Sequence, residues 1–113
     1  PLARFRTAGG KAGALVDRCP HRNVPLSAGR VAGDCLACPY HGWEFDAQGV
    51  CRAVPGLDDD AATAEQPEAR NTAALPAAEQ DGFAWVYHGA GAPAGPPPRL
   101  AHLGQPGYAA FSA

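Results

Sequence analysis

The chain has no methionine, two tryptophans and no apolar run near the roughly 20 residues that a membrane-spanning helix needs. No secretory leader is visible at its start, so no membrane partner is expected. Beginning at Pro1 without a methionine anywhere, it reads as a processed, trimmed or partial chain. A basic surplus is also missing. Nine Lys and Arg against eleven Asp and Glu leave a net charge of −2, which argues against nucleic acid as a partner. Aromatic residues make up 8%, and much of the 46% hydrophobic content is alanine, so large core-filling side chains are sparse. Four cysteines beside a metal motif read as ligands plus spares and not as a disulfide framework, which suits a cytoplasmic protein. What is abundant is Gly (14) and Pro (12), the residues of turns. At 113 residues, a single domain with a modest core is expected, of a size that a bound centre would help to stabilise.

The pattern along the chain is one of short strands. Residues 2–7 alternate apolar and polar, Gly9-Gly10-Lys11 turns, and Ala12–Val16 is a second strand. Asp34–Ala37 is a third, and Trp43–Asp46 with Val50–Val54 form a hairpin about Ala47-Gln48-Gly49. Residues 57–70, with Asp58-Asp59-Asp60, are acidic and Ala-rich. They predict a solvated loop, because the Gly-punctuated spacing of a calcium loop is lacking. Residues 72–79 and 83–88 flank Asp81-Gly82, a strong hairpin signal. Phe83, Trp85 and Tyr87 share one face at period two, which predicts a core contribution. From Gly89 the sequence is Pro/Gly/Ala-rich without periodicity. The expected organisation is therefore a domain over 1–90 and a tail or linker over 91–113. The expected fold is all-β, with small antiparallel sheets and two loops projecting from one end.

Those loops lie within residues 19–43, CPHRNVPLSAGRVAGDCLACPYHGW. Cys19-Pro-His21 and, sixteen residues later, Cys38-Pro-Tyr-His41 each offer a thiolate and an imidazole. In one kind of [2Fe–2S] centre, one iron takes two thiolates and the other two imidazoles. Cys19 and Cys38 would then hold one iron, and His21 and His41 the other. The alternative is a structural zinc in a redox-silent interaction module. A Cys2His2 zinc sphere, however, usually places a Cys pair before a His pair, with two to four residues inside each pair. Here the types alternate, and the first gap is a single residue.

Cys-x-His followed by Cys-x-x-His resembles the Rieske iron–sulfur signature. CPHR at 19–22, CPYHGW at 38–43 and GVCRAVP at 49–55 are similar to the N-terminal Rieske domain of ring-hydroxylating and related Rieske non-haem iron oxygenases. The resemblance covers roughly residues 1–90. It implies a Rieske-type iron–sulfur domain that moves one electron at a time through its [2Fe–2S] cluster. Such a chain would be a ferredoxin-like carrier or the electron-accepting module of an oxygenase, with a reductase as donor and an oxygenase catalytic domain or subunit as acceptor. Nothing after the cluster motif offers a mononuclear iron site of two His and a carboxylate, so the chain is expected to be an oxidoreductase component without an oxygen-activating centre of its own. His88 and His102 are isolated and read as ordinary histidines, and Cys35 and Cys51 as buried spare thiols.

Rieske proteins of respiratory and photosynthetic complexes carry a further Cys in each loop, joined as a disulfide, and a Ser whose hydroxyl bonds a bridging sulfide. The matching positions here are Val24, Tyr40 and Trp43, which implies a potential toward the low end of the family range. The two His are expected to be exposed at the tip, and the potential to depend on pH. Arg18, Arg22, Arg30 and Arg52 read either as ordinary surface charge or as a collar that steers an acidic partner.

Overall fold

The computed structural model describes residues 1–57 and 68–111. Among these there is no α-helix and no helix long and apolar enough to cross a membrane. The acidic run Asp58-Asp59-Asp60 lies outside the described residues.

Three small antiparallel sheets build the fold. β1 (Leu2–Arg6) pairs with β2 (Ala12–Val16). The turn between them is closed by Thr7, whose Oγ1 accepts the Lys11 N–H at 3.0 Å, and by Gly10 at φ 88°. The Phe5 ring covers Gly13 across the ladder, so close that a Cβ there would force the ring to move. The second sheet runs in the order β3 (Arg30–Ala32), β4 (Cys35–Ala37), β5 (Glu44–Phe45), β6 (Cys51–Ala53). β3 has no counterpart in the expected strands, because its three residues show no alternation that a sequence pattern could register.

Asp46 organises the β5–β6 hairpin. Its Oδ1 accepts the N–H of Gln48 and Val50 at 2.9 and 3.0 Å, and its Oδ2 accepts Arg52 Nε at 2.7 Å. Gly49, at φ 81°, completes the turn. A Cβ there would collide with the carbonyl of Thr72, whose own N–H donates to the Gly49 carbonyl at 2.9 Å. Gly49→Ala combines a left-handed backbone with that collision and is expected to cost about 1–3 kcal/mol. For a domain of this size, thermal unfolding would show that as a drop of roughly 4–8 °C per kcal/mol.

The third sheet pairs β7 (Ala77–Gln80) with β8 (Phe83–Val86) through Asp81-Gly82, both at positive φ (56° and 81°), as a two-residue turn of this composition requires. Before it, residues 73–75 run along the free edge of β2: Val16 N–H donates to the Ala73 carbonyl at 2.8 Å, and Leu75 N–H to that of Ala14 at 2.9 Å. Two three-residue 3₁₀ turns, Leu26–Ala28 and Glu68–Arg70, complete the regular structure. Residues 89–111 contain neither strand nor helix, but Leu100 N–H donates to Asp81 Oδ2 at 2.7 Å, beside the third sheet.

The core lies between the first two sheets. It comprises Ala3, Leu15, Cys19, Leu26, Leu36, Cys38, Phe45 and Cys51, with Phe5, Val24, Trp43 and Val54 packed against it. Two expectations are corrected here. Phe83 is 56% exposed and Tyr87 is also exposed, so the aromatic face of β8 is not part of the core. A two-stranded outlying hairpin has one face that the rest of the domain cannot reach, and period two alone does not tell which face that is. Cys51 is buried as expected, but Cys35 is only partly so, standing at the start of β4, before its buried neighbours Leu36 and Ala37.

Candidate metal centre

Both candidate ligand loops leave the core by the same local device. Cys19 N–H donates to the Val24 carbonyl at 2.9 Å, and Asn23 N–H returns to the Cys19 carbonyl at 2.8 Å. Cys38 N–H donates to the Trp43 carbonyl at 2.8 Å, and Gly42 N–H returns to the Cys38 carbonyl at 3.1 Å. In each loop the residue four places after the cysteine is left-handed: Asn23 at φ 59° and Gly42 at φ 75°. Glycine adopts this conformation without cost, and asparagine is among the side chains that tolerate it best. Pro20 and Pro39, each directly after its cysteine, have no N–H to satisfy and fix φ within the turn. Sequence reading identified Gly42 but missed Asn23; the available signal was the matching spacing of Asn and Gly after the two cysteines.

The loops are anchored from behind. Asp17 accepts Ser27 N–H and Ser27 Oγ–H at 2.7 and 2.6 Å, clamping the end of β2 to the first 3₁₀ turn. Those bonds hold the Asp17 carboxyl below its ordinary range. Arg18 Nε donates to Asn23 Oδ1 at 2.6 Å, and Pro55 packs 3.2 Å from where a Cβ on Gly42 would stand. The four candidate arginines thus divide. Arg18 and Arg52 are committed to Asn23 and Asp46, while Arg22 and Arg30 are exposed.

The four candidate ligands converge as two pairs. Cys19 and Cys38 are both buried in the core. Burial pushes the Cys19 thiol up, backbone N–H groups of His21 and Arg22 pull it back, and the neighbouring Cys38 thiol raises it again. His21 and His41 are exposed at the tip, with their Nδ1 atoms 3.1 Å apart and their rings inclined at 55°. Partial desolvation, then His41 and Arg22, hold the His21 imidazole below its usual pKa, so the ring is neutral near pH 7, the form that binds a metal. The Trp43 ring lies flat on His21, 4.6 Å between centroids and 4° from parallel, and Tyr40 leans on His41 at 3.9 Å and 34°.

This donor set fits a two-iron cluster. Two nitrogens each about 2.1 Å from one tetrahedral ion lie about 3.4 Å apart, close to the observed spacing. Among the described residues, no group of three or more His, Cys, Asp or Glu is placed to hold a single metal ion. A lone zinc needs four donors about one point, whereas a binuclear centre needs only a pair at each metal. The thiol pair lies inside and the imidazole pair at the surface. His102 is occupied elsewhere, stacked on Tyr108 with Nδ1 2.9 Å from Gln105 Oε1.

Comparisons with known proteins agree on one relationship. The family model described as Rieske [2Fe-2S] domain matches residues 1–75. The chain is 44% identical over 96 residues to chlorophyllide a oxygenase, chloroplastic, of Chlamydomonas reinhardtii, covering 83% of this chain and 14% of that protein. It is 39% identical over 89 residues to the oxygenase component of dicamba O-demethylase of Stenotrophomonas maltophilia, covering 79% and 25%. The crystal structure of dicamba monooxygenase bound to dicamba superposes with a TM-score of 0.68 at 39% identity, covering 79% of this chain and 27% of that one. The chain therefore spans about a quarter or less of the length of these relatives.

Proposed function

The chain belongs to the Rieske [2Fe–2S] domain family, of the kind found in Rieske non-haem iron oxygenases, and from this we propose that Cys19 and Cys38 hold one iron of its cluster and His21 and His41 the other. The observation that carries the assignment is the pairing itself: two buried thiols side by side and two exposed Nδ1 atoms 3.1 Å apart, on loops of matching hydrogen bonding. When bound, the cluster supplies a reversible one-electron couple. The protein's part is to keep the thiolate end dry within the core, to hold the loops rigid through Asn23 and Gly42, and to present the imidazole end at the surface for electron exit.

In this reading the chain is an electron-transfer oxidoreductase component with no oxygen-activating iron of its own. A reductase donates the electron, and an oxygenase catalytic domain or subunit accepts it. Exposed Arg22 beside the tip suits an acidic partner surface. Residues 1–90 form the cluster domain and 91–113 a tail or linker. Four free cysteines suit a reducing compartment, and we place the chain in the cytoplasm.

Metal analysis with electron uptake tests this. The purified chain is expected to be red-brown, to contain iron and acid-labile sulfide in equal amounts, and to be reduced by NAD(P)H through an added reductase. A colourless chain holding a single zinc overturns the reading.

A further inference from the structure

We propose that Trp43 is a positioning residue for the imidazole pair: carried by the second loop, its indole fixes the ring plane of His21, carried by the first. This rests on the ligand assignment above. His21 is exposed, and its one side-chain hydrogen-bond neighbour among the described residues is His41. An exposed imidazole with so few contacts is otherwise free to change rotamer. The Trp43 ring removes that freedom by lying flat on it, within the range of aromatic stacking.

Trp43 can do this because it is itself held. Its side chain packs against the core cluster, and its carbonyl accepts the Cys38 N–H that closes the second loop. The turn fixes the backbone at position 43, and the indole cannot swing away without leaving the core. Stacking uses the face of the imidazole, whereas a metal is bound by a lone pair in the ring plane, so the two do not compete. The arrangement is one-sided: Tyr40, leaning on His41, is 61% exposed and is not among the residues packed on the core. The first loop's imidazole is thus locked from the second loop, without any covalent link between them.

The test compares Trp43→Leu with Trp43→Phe in the 113-residue chain reconstituted with iron and sulfide. Both substitutes can pack on the core, but only phenylalanine offers a flat ring. Expected for Trp43→Leu are an altered EPR line shape of the reduced cluster and release of iron to a chelator about two- to tenfold faster, the range that an aromatic pair represents. Trp43→Phe is expected to keep the unaltered line shape and a release rate within about twofold. A leucine variant with unchanged line shape and release rate overturns the proposal, and so does a phenylalanine variant as impaired as leucine. If the leucine variant does not fold, the phenylalanine line shape alone decides. An unaltered chain that binds no iron and sulfide defeats the ligand assignment itself, which is a separate failure.

Discussion

Replacing Cys38 with serine is expected to leave the purified chain without iron or acid-labile sulfide, whereas Cys35→Ser keeps both. The two cysteines are only three residues apart, and proximity to the motif does not separate them. Their surroundings do. Cys38 is buried against Cys19 at the base of both loops. Cys35 is partly exposed on β4, with the carboxylates of Glu44 and Asp46 beside it in place of a partner thiol from the other loop. Stability should divide the same way. Among the described residues the largest fully buried side chains are Phe45, Leu15, Leu26 and Cys19, a small core. Metal binding that reaches on the order of 10 kcal/mol in small metallo-domains is folding free energy, comparable to the whole stability of a typical domain. Cys38→Ser is therefore expected to cost at least about 3 kcal/mol, a fall in Tm of more than roughly 12 °C. Cys35→Ser is expected to move Tm by no more than about 4 °C, since a partly exposed site away from the core resembles the surface changes that typically stay within ±0.5 kcal/mol. Metal analysis and calorimetry on both variants decide. If Cys35→Ser loses as much iron as Cys38→Ser, the assignment of thiolates is wrong.

The contrast between these cysteines shows where sequence reading stops. The ligand words were legible because each carries its own chemistry in a few consecutive residues, and the hairpins about Gly49 and Asp81-Gly82 because glycine and aspartate declare a turn locally. The solvent-facing ring of Phe83 depends on which hairpin ends up at the margin of the fold, and the partial exposure of Cys35 on how far its neighbours cover the first residue of an inner strand. No local pattern records that. Asn23 is intermediate. Its left-handed backbone follows from a turn that repeats the Cys38 loop, and the repeat becomes visible only when the hydrogen bonds of both loops are compared. The stacking of Trp43 on His21 joins residues twenty-two positions apart through the cluster site, and a sequence gives no sign of it.

That same tryptophan governs the second large expectation: the midpoint potential should fall below about +150 mV, toward the lower end of a family range of roughly −150 to +300 mV. Hydrogen bonds donated to the sulfurs stabilise the more negative, reduced centre and so raise the potential; each one missing lowers it. Backbone N–H groups of His21 and Arg22 face the Cys19 sulfur, and the turn itself supplies these. What the second loop lacks is a hydroxyl after Gly42. Position 43 presents an indole laid on His21 instead of a hydroxyl. No disulfide ties the loops either, since Val24 packs on the core and all four cysteines are free. A low potential leaves electrons easily passed on to an oxygen-activating iron, which matches the role proposed for the chain. Potentiometric titration followed by EPR measures it directly. A midpoint well above +150 mV would mean that other donors to the sulfurs outweigh the missing hydroxyl, and the argument from position 43 would fail.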